Sequence, residues 1–248
     1  MEQLVNLLYT ELLKLKRSNM FLISMIGAAV APFMIVLAFY IEKQSKPSAP
    51  PASFDVLFLN VNMYTALFMG VLLYGVVTAY LFNREYTEST LKNLLTIPVS
   101  RFHFVMSKFI LLFLWIMILT VIAWGLTLLL GLLGGFPGLN NILLFQFLVK
   151  FLISGGFLFI LSSPIVLVTF ITKTYVPPII LTIVIALINV LTASSEHKDL
   201  FPWTAALDIV NQDLQPTYPP EYSYIIITTT SLIGFIAAIF YFKQIDIH

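Results

Sequence analysis

Six long apolar stretches dominate this sequence, and the only charged side chain inside them is Lys108. A helix of about 20 apolar residues crosses the hydrocarbon core of a bilayer and satisfies its own backbone hydrogen bonds. A transmembrane β-barrel needs alternating segments of about ten residues, and the sequence lacks them. We therefore predict an all-α membrane protein with six transmembrane helices in a single domain, residues 1–248. The predicted spans are residues 20–41, 56–82, 104–133, 151–171, 176–193 and 222–242.

The composition excludes several other classes of protein. Charged residues make up 10% of the chain, whereas a soluble domain carries about a quarter. The net charge is +1 and no basic stripe is present, so we expect no nucleic-acid partner. The chain has no cysteine, which excludes a disulfide framework and a thiolate metal site. The expected environment is the lipid bilayer.

The basic residues predict the orientation. If the amino terminus is inside, nine of them lie in cytoplasmic segments and four in outer segments. The four outer residues are Lys43, Lys46, Lys150 and Lys198. This bias follows the positive-inside rule. We therefore predict that both termini are cytoplasmic, and that Lys108, near the start of the third span, snorkels to the inner interface.

The first 17 residues have a helical pattern of their own and do not read as a cleavable signal peptide. Leucines recur at three- and four-residue spacing on one side, opposite polar residues; they are Leu4, Leu8, Leu12 and Leu15. We predict an amphipathic interfacial helix over residues 1–17, lying on the inner leaflet. The alternative is a helix packed on a partner protein.

The motifs of catalysis and of ion coupling are missing. No glycine precedes a lysine, so there is no phosphate-binding Walker loop, and no HExxH or GxSxG sequence occurs. The predicted spans contain no Asp, Glu or His, whereas ion-coupled transporters usually carry such groups near the bilayer midplane. We predict no enzyme activity, cofactor or metal site in this chain, and an external energy source for uphill transport. The polar span residues are expected to hydrogen-bond neighbouring helices: Asn60, Asn62, Thr65, Thr78, Thr169, Thr182 and Asn189.

Residues 84–101 (REYTESTLKNLLTIPVSR) connect the second and third predicted spans. Residues 85–96 have helical character, with three leucines on one side and Glu88 four residues before Lys92. Pro98 is expected to end this helix, and Arg101 to lie at the membrane face. Two interpretations remain open: the helix docks into a groove of a soluble partner, or it lies on the membrane surface.

Residues 194–221 form a long outer connection that mixes apolar residues with carboxylates and prolines. Phe201, Pro202 and Trp203 are candidates for a lid over the outer end of a transport path. The alternative is that Trp203 only anchors the chain at the membrane interface.

Three segments resemble the membrane subunit of type-2 ABC exporters, in the subgroup that serves bacitracin resistance and lantibiotic immunity. They are residues 9–18 (YTELLKLKRS), 84–101 and 201–205 (FPWTA). In that family the segment after the second span carries an acidic residue, a Gly-Thr-Leu turn, two leucines and Pro-x-x-Arg. Ser89 stands here where glycine is usual. The matching residues are Glu85, Thr90, Leu91, Leu94, Leu95, Pro98 and Arg101.

The resemblance implies a multi-pass permease of the bacterial cytoplasmic membrane that exports a hydrophobic or peptide substrate. ATP and Mg²⁺ would bind a separate ABC ATPase subunit, which the coupling segment 84–101, beginning at Arg84, would contact. The apolar face of the segment and Glu85 would seat in the cleft of the ATPase. A second copy of this permease, or a related permease, would complete the transporter. Two alternatives stay open: the same architecture exporting a lipid, a polysaccharide or sodium, and a secondary transporter or membrane scaffold without an ATPase.

Overall fold

The computed structural model describes residues 2–16, 18–46, 51–88 and 100–244, and every regular element among them is helical. The helix α1 (Glu2–Lys16) precedes α2 (Met20–Ser45), and α3 (Phe54–Tyr64) continues through a π-helical turn, Thr65–Met69, into α4 (Gly70–Thr87). The remaining elements are α5 (Arg101–Leu133), α6 (Asn141–Ile160), α7 (Ser163–Thr172), α8 (Val176–Thr192), a 3-10 turn (Lys198–Leu200), α9 (Pro202–Asn211) and α10 (Pro220–Gln244).

Within the described residues, five stretches of helix are long and apolar enough to cross a membrane. They are Met20–Ser45, Phe54–Thr87, Arg101–Leu133, Asn141–Thr172 and Pro220–Gln244. The helix α8 is equally apolar but has only 17 residues. These five stretches and α8 correspond in order to the six predicted spans, and the all-helical prediction is confirmed.

The fourth apolar helix begins at Asn141, not at the predicted residue 151. Asn140 caps it, because its side chain accepts a hydrogen bond of 2.7 Å from the amide of Leu143. Lys150 therefore lies inside a helix and not in a loop. Its ammonium group is 5.4 Å from the centre of the Phe147 ring, so an aromatic face compensates part of its charge.

The second apolar helix contains one irregular turn, Thr65–Met69. A π-helical turn displaces the ordinary hydrogen-bond ladder and often marks a functional region. Asn189 of α8 donates a hydrogen bond of 2.9 Å to the carbonyl of Leu67 inside this turn. The turn is thus tied to α8, the short apolar helix that corresponds to the fifth predicted span.

The helix α5 lies at the centre of the bundle and packs against α1, α2 and α6, while α10 packs on α7 and α4 on α8. The larger core cluster surrounds the fully buried Trp115 and Leu112 of α5. A smaller cluster surrounds Phe58 of α3, whose ring contacts Phe147 and Phe151. Tight packing of this kind holds the ends of the helices at defined positions.

Among the described residues, six of the seven polar span residues named above do not bond a neighbouring helix, and that prediction is wrong for them. Asn189 does reach across, whereas Asn62 and Thr65 have no side-chain partner among the described residues. A short polar side chain can reach a carbonyl of its own preceding turn, which satisfies it without a second helix. The residues that do so are Asn60, Thr78, Thr169 and Thr182.

Candidate functional site

One end of the bundle brings together α1, the last turn of α4, the first turns of α5 and the last turn of α10. We call it the coupling end, because the described ends of segment 84–101 lie there. Arg84, Glu85 and Arg101 are described. The other predicted coupling residues lie outside the described residues: Thr90, Leu91, Leu94, Leu95 and Pro98.

Glu85, in the last turns of α4, is buried with only 1% of its surface exposed. Its Oε1 atom accepts hydrogen bonds from Lys14 at 2.7 Å and from Lys108 at 3.2 Å. The carboxylate therefore faces the interior of the bundle in this structure. The resemblance implied that Glu85 seats in the cleft of the ATPase, whereas here its carboxylate pairs with two lysines of the bundle.

Lys108 is completely buried, so the prediction that it snorkels to the interface is wrong. Its ammonium group donates to Glu11 Oε2 at 2.9 Å, to the carbonyl of Leu81 at 3.0 Å and to Glu85 Oε1 at 3.2 Å. An ammonium group has three donors, and each has an acceptor here. The reason is that α1 covers the start of α5 and brings the Glu11 carboxylate to the lysine.

Lys14 of α1 completes what we call the ionic cluster, which consists of Glu11, Lys14, Glu85 and Lys108. Its ammonium group lies 2.8 Å from Glu11 Oε1 and 2.7 Å from Glu85 Oε1. Burial alone lowers the pKa of Lys14, but the hydrogen bonds and charges of both carboxylates outweigh it and raise the pKa above 10.5. Two carboxylates and two ammonium groups therefore balance in charge, which buried ions require.

Arg84 and Arg101 each have a partner at the coupling end. Arg84 Nε lies 2.7 Å from Glu88 Oε1, so these two residues form an ion pair within α4 and its carboxyl end. The predicted partner of Glu88, Lys92, lies outside the described residues. Arg101 Nη1 donates to the carbonyl of Lys243 at 2.8 Å. An arginine at the carboxyl end of a helix satisfies open carbonyls and the helix dipole. Segment 84–101 is therefore attached to α1 and α5 at one end and to α10 at the other.

The helix α1 packs on the protein itself, through a face that carries Leu7 and Glu11 and contacts α5. Val5, Tyr9 and Leu12 form a second apolar face, and between 45% and 62% of each side chain is exposed. A helix with one face on the bundle and another apolar face exposed fits a position at the surface of a bilayer leaflet. The sequence pattern indicated only one apolar face.

At the opposite end, α9 lies between the other helices and contacts α6, α8, α10 and the π-helical turn. Phe201 and Pro202 are half-buried where α9 begins, and Trp203 is 7% exposed. A ring that is buried in the bundle does not favour the interpretation that Trp203 only anchors the chain at the membrane interface. The three residues sit at the entry of a buried helix.

Lys198 holds α9 in place through two carboxylates. Its ammonium group lies 3.1 Å from Asp208 Oδ1 and 2.8 Å from Asp213 Oδ2. The neighbouring Asp199 accepts a hydrogen bond of 2.7 Å from the amide of Gln215. Burial raises the pKa of Asp208 to about 6, against the opposing effect of Lys198 and together with the charge of Asp199.

We expect α9 to become less stable as the pH rises from about 4 to about 6. An unfolded Asp208 loses its proton near its usual pKa of 3.8, whereas the folded one keeps it up to a pKa of about 6. Unfolding therefore releases a proton in this window, and a higher pH favours it. Hydrogen exchange of α9, corrected for the intrinsic pH dependence, should show protection that falls across this window and is constant above it. Asp208→Asn should abolish the pH dependence, and an unchanged profile in that variant would refute the assignment.

These observations define an all-helical membrane protein in which the buried ionic cluster attaches one end of segment 84–101 to the bundle. Among the described residues no group of His, Cys, Asp or Glu could hold a metal ion. Residues 7–189 match the ABC-2 family transporter protein family, and the chain belongs to that family. It is therefore the multi-pass, non-catalytic permease of an ABC-2 transporter.

One curated relative is the bacitracin transport permease protein BCRB of Bacillus licheniformis. The two sequences are 51% identical over 206 residues, which cover 83% of this chain and 99% of the relative. The similarity therefore extends over nearly the whole of that permease.

Sequence reasoning missed Glu11 and Lys14 as members of the site. A signal was present, because Glu11 follows Leu8 by three residues and precedes Leu15 by four, which places it on the leucine face of α1. A carboxylate on an apolar helix face predicts a buried cation nearby. Lys108 was the one charged residue of the predicted spans, and pairing the two would have predicted the contact.

Proposed function

We propose that the chain is the permease of an exporter that removes a peptide antibiotic, such as bacitracin or a lantibiotic, and so gives the cell resistance or self-immunity to that antibiotic. The observation that supports this cargo is the 51% identity, over 99% of its length, to a bacitracin transport permease. The energy comes from a separate ABC ATPase that binds ATP and Mg²⁺. A second copy of this permease, or a related permease, lines the other half of the path.

In this proposal the chain crosses the membrane six times, with α8 as the fifth span, and the coupling end faces the cytoplasm. The positive-inside rule supports this orientation, because Lys14, Arg84, Arg101 and Lys243 lie at that end. Both termini are then cytoplasmic, and α9 dips back into the bundle from the outside. Phe201, Pro202 and Trp203 lie at the outer entry of this re-entrant helix.

Segment 84–101 is the proposed contact with the ATPase. Its apolar residues Leu91, Leu94 and Leu95 dock into a groove of the ATPase, while Glu85 anchors the segment from inside the bundle. Closure of the ATPase on ATP then pushes a segment that is attached to α1, α5 and α10. The attachment supports a rigid transfer of that movement, because charged hydrogen bonds join the segment to the spans.

The proposal predicts drug tolerance that depends on ATP hydrolysis. Expression of the permease with its ATPase in a sensitive Gram-positive host should raise the bacitracin concentration that inhibits growth roughly tenfold or more. A variant of the ATPase that lacks its Walker lysine should remove this tolerance, since that lysine binds the phosphates of ATP.

The control is the same pair of proteins tested against drugs with unrelated targets, for which tolerance should not change. A lantibiotic in place of bacitracin tests the other peptide cargo. Unaltered tolerance to both peptides, with altered lipid, polysaccharide or sodium efflux, would reject the peptide cargo and assign one of the alternatives. Efflux that persists with the inactive ATPase would reject the ATP-driven mechanism.

A further inference from the structure

Lys108 lies in the third apolar span, two turns from the start of α5, yet its charge is fully compensated. Its three acceptors lie on two other helices: Glu11 on α1, and Leu81 and Glu85 on the inner part of α4. A single ammonium group thus joins three helices at one point. That point lies between the two spans that carry the proposed coupling segment.

Stability alone does not account for a lysine at this position. Replacing a buried ion pair with apolar residues of similar volume is often neutral or stabilising. A charged residue within a span is costly and usually serves a function. What the ionic cluster provides, and an apolar contact does not, is directional attachment through several hydrogen bonds at fixed distances.

The position of the attachment suggests which movement it serves. Without the cluster, α1 would contact α5 mainly through side chains such as Leu7, which can slide. With it, a displacement of α4 at Glu85 acts directly on Lys108 of α5 and, through Lys14 and Glu11, on α1.

We propose that Lys108 is a positioning residue that makes α1, the inner end of α4 and the inner end of α5 move as one body. The proposal rests on the proposed function, in which an ATPase pushes segment 84–101. Lys108 contacts neither substrate nor nucleotide. It prevents the three helices from moving relative to one another, so that a movement of that segment is transmitted to the spans.

The test uses the double variant Glu11→Gln with Lys108→Met. It removes one negative and one positive charge, and the remaining pair, Lys14 and Glu85, keeps its contact of 2.7 Å. No buried charge is left without a partner, so the variant is expected to fold and insert. Glu85 and the docking leucines are untouched.

Two measurements read the result. Because the chain has no cysteine, spin labels can be attached at the exposed Asn6 of α1 and Phe102 of α5. In the native complex we expect one narrow label-to-label distance, unchanged when ATP is trapped. In the double variant we expect a broad distribution of this distance that shifts with ATP.

The second measurement is drug-stimulated ATP hydrolysis by the complex. In the double variant its maximal rate should fall about tenfold, with the half-saturating ATP concentration unchanged.

Ser18→Ala is the matched control, because it removes a hydrogen bond of 2.7 Å to Tyr80 of α4 without altering any charge. It should keep the narrow distance and the native rate. An equal loss in Ser18→Ala would assign the effect to general packing and overturn the proposal. So would a double variant with a native distance and a native rate.

Should the double variant fail to fold, Glu11→Gln alone provides the test, since Lys108 keeps Glu85 and Leu81 as acceptors. The same broadening, of smaller extent, is then expected, and a native distance distribution would overturn the proposal. The nucleotide-free distance is independent of any ATPase. If the native complex hydrolyses no ATP, the proposed function fails, while the distance still tests the attachment.

Discussion

Replacing Leu94 and Leu95 together by aspartate should abolish drug tolerance while leaving the permease in the membrane. Both leucines belong to the apolar side of the proposed coupling segment. An apolar anchor at the centre of an interface contributes about 2 kcal/mol or more, and a charge placed there also loses its hydration. The two changes together should weaken docking of the ATPase by a factor on the order of 1,000.

The measurement is co-purification of the ATPase with the tagged permease, together with the inhibitory drug concentration. The variant Asn93→Asp with Thr96→Asp is the control, because it adds the same two charges at polar positions of the same segment. The control should retain most of the ATPase. If the leucine variant co-purified a fully active complex, segment 84–101 would not be the docking site.

Gly75→Leu should prevent α4 from packing on α8 and remove most of the correctly folded permease. A Cβ atom at Gly75 would overlap the Thr182 methyl group and lie 2.8 Å from the Thr182 Cβ atom. A leucine needs more room than this, and overpacking a tight contact costs about 1–3 kcal/mol or more. The separation would also strain the hydrogen bond between Asn189 and Leu67 that ties α8 to the π-helical turn.

The measurement is the thermal unfolding temperature in detergent, with the yield of monodisperse protein. Gly125→Leu and Gly156→Leu are matched controls, because at either position no atom beyond the adjacent residues and the backbone of the same helix lies within 4 Å of a Cβ; both should resemble the native protein. Gly75→Ala with Thr182→Gly moves the glycine to the other helix and should recover much of the stability. Equal losses in Gly75→Leu and Gly125→Leu would contradict the close approach of α4 and α8.

The apolar helices were predictable because helix formation in a membrane depends mainly on local composition. A run such as Met20–Ser45 can satisfy its backbone only within itself, whatever its neighbours are. The ends were less predictable. Asn141 begins its helix ten residues before the predicted 151, since the Asn140 cap and the Phe147 ring allow Lys150 to be helical.

The partners of individual side chains were the part that could not be predicted. Thr169 and Thr182 satisfy themselves within their own helices, which a pattern of polar residues cannot distinguish from bonds across helices. Trp203 has the composition of an interface anchor, yet it is buried, because α9 folds back between α6 and α10. Such placements depend on residues distant in sequence.

The sequence by itself determined a charge-poor, all-helical membrane protein. That conclusion rests on composition and on short-range pattern, which act within one helix at a time, whereas the permease and its ATPase contact at segment 84–101 were implied by the resemblance to a family. Only the tertiary structure decided what the scarce charges do. Lys108 was predicted to extend to the membrane interface, and instead its ammonium group donates a hydrogen bond to Glu11, 97 positions earlier in the chain. Because a buried charge must be neutralised by whatever lies beside it in space, its role depends on packing and not on its own sequence neighbourhood.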